Sequence, residues 1–184
     1  MLNIVRHNGK KPTLWCELDN IYPPANDYLF PYPADVTLVT WRNALTPKCI
    51  ELTRKHGHTL IMAPGEHAYL DYPQYRGDLP EWNNWGMPVT TLEKCYALDP
   101  GYGLLTDEQA HITGIMGTLW GEAIRDINRV TYMVFPRLAL AETGWTEMPQ
   151  RSWESFKQRI LPNLTDLMKS GVSFRVPFEI MHSR

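Results

Sequence analysis

The chain has 184 residues, 43% hydrophobic and 21% charged, a composition that excludes disordered, collagen-like and low-complexity classes and suits a folded domain. Eighteen Lys and Arg against twenty Asp and Glu give a net charge of −2, which leaves no basic footprint for nucleic acid or an anionic membrane. No run of about 18 apolar residues offers a membrane span, and the Met1–His7 stretch lacks the apolar core of a signal peptide, so cellular location stays open.

In chain order, the first strand signal is Pro12–Leu18, entered from a Gly9-Lys10-Lys11 turn. A polar, Pro-rich loop follows from Asp19 to Pro33. The second strand is Val36–Trp41, rich in β-branched residues. Pro47 opens a helix through Lys55, with Cys49, Ile50 and Leu52 on its apolar side. Thr59–Ala63 reads as the third strand. A long connection then runs from Pro64 to Gly103 and carries Trp82 and Trp85; connections of this length are functional or hold structure of their own. Thr106 to His111 reads as a short capped helix. The fourth strand is Ile112–Trp120. A helix around Tyr132 to Thr143, started or interrupted by Pro136, precedes a last helix from Ser152 to Ser170, whose apolar residues recur near the 3.6 period.

Strands alternating with helices indicate parallel strands with crossover helices, an α/β architecture. The whole chain reads as one domain. In such folds the carboxyl ends of the strands form the active face. Three short patterns lie there: Trp15-Cys16-Glu17, Tyr69-Leu70-Asp71 and Trp120-Gly121-Glu122. Each places an acid two residues after an aromatic. Sugars present apolar C–H faces and a rim of hydroxyls, so a sugar site needs flat aromatic walls and charged acceptors. Taken alone, the same residues also fit strand-end packing and turn or cap roles. Cys16, Cys49 and Cys95 are odd in number and widely spaced, which argues against a disulfide framework. His56-Gly57-His58 reads as a solvated loop rather than a metal site. No cofactor or metal is expected.

The tract Ile112–Glu122, followed by Phe135-Pro136-Arg137 and Ala141-Glu142-Thr143-Gly144-Trp145, resembles glycoside hydrolase family 20, the β-N-acetylhexosaminidases. Tyr69-Leu70-Asp71, Trp15-Cys16-Glu17, Trp41 and Trp85 follow in the family's order. The resemblance runs from about Gly9 to Trp145. It implies a half (β/α)8 barrel, the fifth to eighth strands with their helices, since a complete barrel needs roughly 250 residues. It further implies that Trp15, Trp41 and Trp120 line the substrate acetamido group, that Tyr69 donates a hydrogen bond to its carbonyl, that Asp71 and Glu122 bind sugar hydroxyls, and that Trp85 forms a platform near the leaving-group sugar. Arg137, Glu142 and Trp145 read as helix packing and polar anchoring.

The family's mechanism is substrate-assisted, an exception to the two-carboxylate scheme. Its acid and orienting pair sit in a His-x-Gly-Gly-Asp-Glu element. Here the one Asp-Glu dipeptide is Asp107-Glu108, which reads as helix capping. Asp71 and Glu122 are a poor replacement pair, because both match hydroxyl-binding positions. The isolated chain is therefore expected to have little or no activity. It reads either as an enzyme part completed by a missing half, or as a non-catalytic N-acetylhexosamine-binding or vestigial protein, with an assembly module as a third class. The open edges of a half barrel lead to an expected association, as a homo-oligomer or with a chain supplying the other half.

Overall fold

The run Val36-Thr37-Leu38-Val39-Thr40 supplies one of the two inner strands of a four-stranded parallel sheet. The computed structural model describes residues 1–16, 32–78, 87–146 and 148–181. Strands β1 (Thr13–Trp15), β2 (Thr37–Thr40), β3 (Leu60–Met62) and β4 (Ile112–Ile115) lie in sequential order and are all parallel. Sequential parallel order is what crossover connections in a barrel produce. The register aligns Leu14, Leu38, Leu60 and Ile112 in one row across the sheet. This row packs with Cys49, Ile50 and Leu52 of helix α2 (Thr46–Lys55) into one core. Pro47 sits in the first turn of α2, where its missing N–H costs no hydrogen bond. The inner strands β2 and β3 are mostly buried, while β1 and β4 are partly exposed.

The chain packs as two compact units, Met1–Gly65 with Pro100–Met116, and Glu66–Asp99 with Gly117–Arg184. The first holds the sheet, α2 and an N-terminal helix α1 (Leu2–His7) that the sequence reading did not anticipate. Gly9, at φ +66°, takes the left-handed turn out of α1. His58, expected in a solvated loop, is buried, and its Nδ1 lies 3.0 Å from the Val36 carbonyl. Residues 106–111 form turns rather than the expected helix. There the Glu108 carboxylate accepts from the Leu105 amide at 3.2 Å and pairs with Arg54 at 2.9 Å. A six-residue segment with its side chains committed to turn contacts has little to gain from nucleating a helix.

The second unit is helical. Short helices α3 (Gly65–Ala68) and α4 (Leu92–Tyr96) fall within the long connection. The helix expected from Tyr132 to Thr143 is two elements: α5 (Ile127–Val134) and a 3₁₀ helix, Arg137–Gly144. The break lies at Phe135-Pro136, because proline disfavours helical backbone at the residue before it and lacks the N–H to continue. The last helix α6 (Trp153–Lys169) stacks Trp153 and Phe156 with Tyr96 of α4, at centroid distances of 4.2 to 5.8 Å. The C-terminal segment is tied down by the Arg175–Glu179 pair at 2.7 Å, and Glu179 also accepts from the Leu92 amide at 3.0 Å. Trp145, expected to pack, is 75% exposed. The cysteines are free thiols, all buried.

Ser152 caps α6 by accepting from the Ser155 amide at 3.2 Å. Ser152→Ala is expected to lower unfolding stability by about 1 kcal/mol in a denaturant titration, with an unchanged slope.

Candidate functional site

In the first unit, Trp15 ends β1 and pairs in register with Val39, two residues before Trp41. The two tryptophans therefore emerge from the carboxyl ends of adjacent parallel strands. The Trp41 backbone carbonyl accepts from the Gly65 amide at 2.9 Å, and the Arg42 guanidinium lies 4.3 Å from its ring centroid. Its indole Nε1 is buried with no hydrogen-bond partner among the described residues. Such a donor costs about 1–3 kcal/mol unless a ligand satisfies it. Glu17, Trp82 and Trp85 lie outside the described residues.

In the second unit, two short segments run side by side. The Leu70 amide donates to the Thr118 carbonyl at 2.7 Å, and the Thr118 amide to the Ala68 carbonyl at 2.8 Å. These bonds place Tyr69 opposite Thr118 in a parallel bridge. β4 itself stops at Ile115, short of the Trp120 expected from sequence, and the pairing resumes at this bridge. Tyr69 is buried, with its ring 6.5 Å from Trp120 and 5.0 Å from Tyr72. Trp120 is 41% exposed and lies beside the buried Tyr69. Glu122 follows in an exposed 3₁₀ turn, Gly121–Ala123. Tyr72, which the sequence reading passed over, joins the aromatic group; its only signal was its position one residue after Asp71.

Asp71 stands between Tyr69 and Tyr72 in the sequence, with the Trp120 amide beside its carboxyl. Its carboxyl is pushed above the ordinary value, chiefly by burial, and the nearby Glu122 charge adds to this. The amides of Asp71 and Trp120 and the Arg137 charge oppose the shift. Burial, with the Asp71 charge, raises the Tyr72 phenol to about 12. One oxygen of Asp71, Oδ1, is buried without a hydrogen-bond partner among the described residues. A carboxylate oxygen without a donor is an acceptor suited to a ligand hydroxyl. Among the described residues no cluster of three or more His, Cys, Asp or Glu could hold a metal ion, and no helix is long and apolar enough to cross a membrane.

The raised Asp71 pKa makes stability depend on pH with a definite sign. The folded state keeps the Asp71 proton over a range where the unfolded chain has lost it, so stability falls as pH rises through the folded pKa. Asn cannot ionise. Asp71→Asn is therefore expected to raise the melting temperature relative to wild type at pH 7.5, with the gain vanishing below the ordinary carboxylate pKa of about 4. Thermal melts at pH 3.5 and 7.5 check this; an equal difference at both pH values would contradict it.

The catalytic-domain model of glycosyl hydrolase family 20 matches residues 1–148. The chain belongs to glycosyl hydrolase family 20. It is 38% identical over 169 residues to a beta-hexosaminidase of Akkermansia muciniphila, a match covering 90% of this chain and 31% of that protein. It is 26% identical over 159 residues to a beta-N-acetylhexosaminidase of Cellulomonas fimi, covering 86% and 30%. A crystal structure of a beta-N-acetylhexosaminidase superposes with a TM-score of 0.78 at 37% identity, over 91% of this chain and 33% of that one. The GH20 exo-beta-N-acetylglucosaminidase of Vibrio harveyi, in complex with N-acetylglucosamine, gives 0.75 at 28% identity, over 95% and 26%. The chain thus spans about a third of the length of these proteins. Its four parallel strands form part of the family's (β/α)8 barrel.

Proposed function

We propose that this chain is the substrate-binding half of a β-N-acetylhexosaminidase catalytic domain, acting on terminal N-acetylhexosamine residues of glycans once the barrel is complete. The observation that carries the reading is the grouping of Tyr69, Asp71 and the exposed Trp120, with Asp71 Oδ1 lacking a hydrogen-bond partner among the described residues. In this reading Trp120 stacks on the sugar ring near the acetamido group, and Tyr69 donates to the acetamido carbonyl. Asp71 and Glu122 accept from ring hydroxyls. Trp15, Trp41 and Trp85 keep the family roles implied by their sequence positions. Holding the acetamido oxygen close to the anomeric carbon is catalysis by positioning, because that oxygen is the nucleophile.

The acid is proposed to come from outside these 184 residues. Glu108, in the one Asp-Glu dipeptide, is engaged with Arg54 and the Leu105 amide. That engagement favours, for the isolated chain, a second reading as an N-acetylhexosamine-binding protein without turnover. The partly exposed outer strands β1 and β4 support association, with a second copy or with a chain that supplies the rest of the barrel.

Titration of the chain with N-acetylglucosamine, followed by tryptophan fluorescence and calorimetry, tests the reading. Saturable binding that exceeds glucose binding is expected, weakened about tenfold or more by Trp120→Ala. No heat with either sugar, or binding untouched by Trp120→Ala, would overturn it.

A further inference from the structure

Arg137 is fully buried in the second unit, yet its guanidinium meets main-chain carbonyls rather than a carboxylate. Nε and Nη2 donate to the Met133 carbonyl at 3.1 and 2.7 Å. Nη2 also donates to the Leu70 carbonyl at 2.5 Å, and Nη1 donates to those of Tyr72 and Thr90 at 3.0 and 2.9 Å. A guanidinium has five N–H donors, and these bonds employ all of them. Four main-chain carbonyls take donors from this one guanidinium, so its loss would strip several acceptors at once. Its distinctive effect is geometric.

Two of the carbonyls, those of Leu70 and Tyr72, flank Asp71. The peptide plane before Asp71 is held at its carbonyl by Arg137. The plane after it is held by the Tyr72 amide donating to the Tyr69 carbonyl at 3.2 Å. Arg137 then holds the next plane too, through the Tyr72 carbonyl. Because each peptide unit is planar, fixing the planes on either side of Asp71 fixes its φ and ψ, and these set where its side chain points. The Thr90 arm binds the same segment from its other side, where the Thr90 amide donates to the Pro73 carbonyl at 2.8 Å.

We propose that Arg137 is a positioning residue for the sugar site: by clamping the carbonyls on both sides of Asp71, it aims the Asp71 carboxylate at the substrate hydroxyls. The proposal rests on the reading of Asp71 as a sugar ligand. It separates Arg137 from a purely structural anchor, because its effect on binding must pass through Asp71. The charged and titratable groups near Asp71 are Glu122, Tyr72 and Arg137; those near Arg137 are Cys95, Asp78, Asp71 and Arg175.

A double-mutant cycle on the full chain tests this, using N-acetylglucosamine as the probe. Arg137→Lys keeps the charge but loses the planar fork. It is expected to retain the near-ultraviolet circular dichroism of a folded chain and to weaken binding about tenfold, as Asp71→Asn does. The double variant should bind within about twofold of Asp71→Asn alone, since little is left for Arg137 to position. Losses that multiply, or an Arg137→Lys variant that binds like wild type, overturn the proposal. Two readouts need neither sugar nor a folded variant other than wild type: three-bond couplings should report a single χ1 rotamer for Asp71, and the amide resonances of Leu70 to Tyr72 should be sharp. Rotamer averaging at Asp71 overturns the clamp even where sugar binds. Absence of sugar binding alongside a single rotamer overturns the functional reading of Asp71 and leaves the clamp standing.

Discussion

The 184-residue chain alone is expected to release 4-nitrophenol from a 4-nitrophenyl N-acetyl-β-glucosaminide at least 10²–10⁴-fold more slowly than a full-length family 20 enzyme. Loss of general acid catalysis by itself has about that effect. The expectation follows from the engagements of several acids among the described residues. Glu108 is held by Arg54 and the Leu105 amide in a turn of the first unit. Glu142 is held by Arg159 at 2.7 Å and by the Tyr96 hydroxyl at 2.9 Å, which keeps its carboxyl below the ordinary range. Glu179 is held by Arg175 and the Leu92 amide. Among the described acids, Asp71 is the one that burial shifts toward the protonated form, which makes it the first alternative acid to test. Supplying a segment with the family's Asp-Glu element, fused or in trans, should restore turnover. Full-rate hydrolysis by the pure chain, abolished by Asp71→Asn, would instead make Asp71 the acid and remove the need for a second segment.

Much of the sheet was legible because its signals are local. β-Branched runs at 36–41 and 59–63 bracket β2 and β3 closely, and their apolar character on both faces matches strands covered on both sides. The errors came where side chains made contacts distant in sequence. His58 looked solvated beside His56, but the Val36 carbonyl 22 residues away gives its ring a buried partner. The helix expected at 106–111 had a cap and acids in place, yet Glu108 pairs with Arg54, 54 residues away, and serves a turn. Helix α1 has apolar residues at Leu2, Ile4 and Val5 but no N-cap bond, so neither periodicity nor capping marked it.

The site was legible as residue types and order, less so as interactions. Tyr69-Leu70-Asp71 and Trp120-Gly121-Glu122 each announce an aromatic beside an acid. What joins them is the bridge between Tyr69 and Thr118, a main-chain contact with no side-chain signature. The sequence reading set Arg137 apart from the site as polar anchoring. Anchoring is what it does, but the segment it anchors is the one that carries Asp71.

Arg137→Met is expected to destabilise the second unit by about 3–5 kcal/mol, enough to unfold a marginal domain. The change leaves the carbonyls of Leu70, Tyr72, Thr90 and Met133 without their guanidinium donors. Each buried acceptor stripped of its donor costs about 1–3 kcal/mol. Against this stands the recovered cost of burying the cation, visible in the pKa of Arg137, which burial pushes down to about 10. The sum of four lost acceptors exceeds that recovery, because methionine supplies volume but no donor. Lysine supplies up to three donors and should lose only part of the stability. Chemical denaturation of wild type, Arg137→Lys and Arg137→Met should therefore rank them in that order. The methionine variant should also lose the near-ultraviolet signal of the Tyr96, Trp153 and Phe156 stack at lower denaturant than wild type, since that stack belongs to the same unit. A methionine variant as stable as wild type would mean that these carbonyls find other donors, and that the clamp on Asp71 is dispensable to the fold.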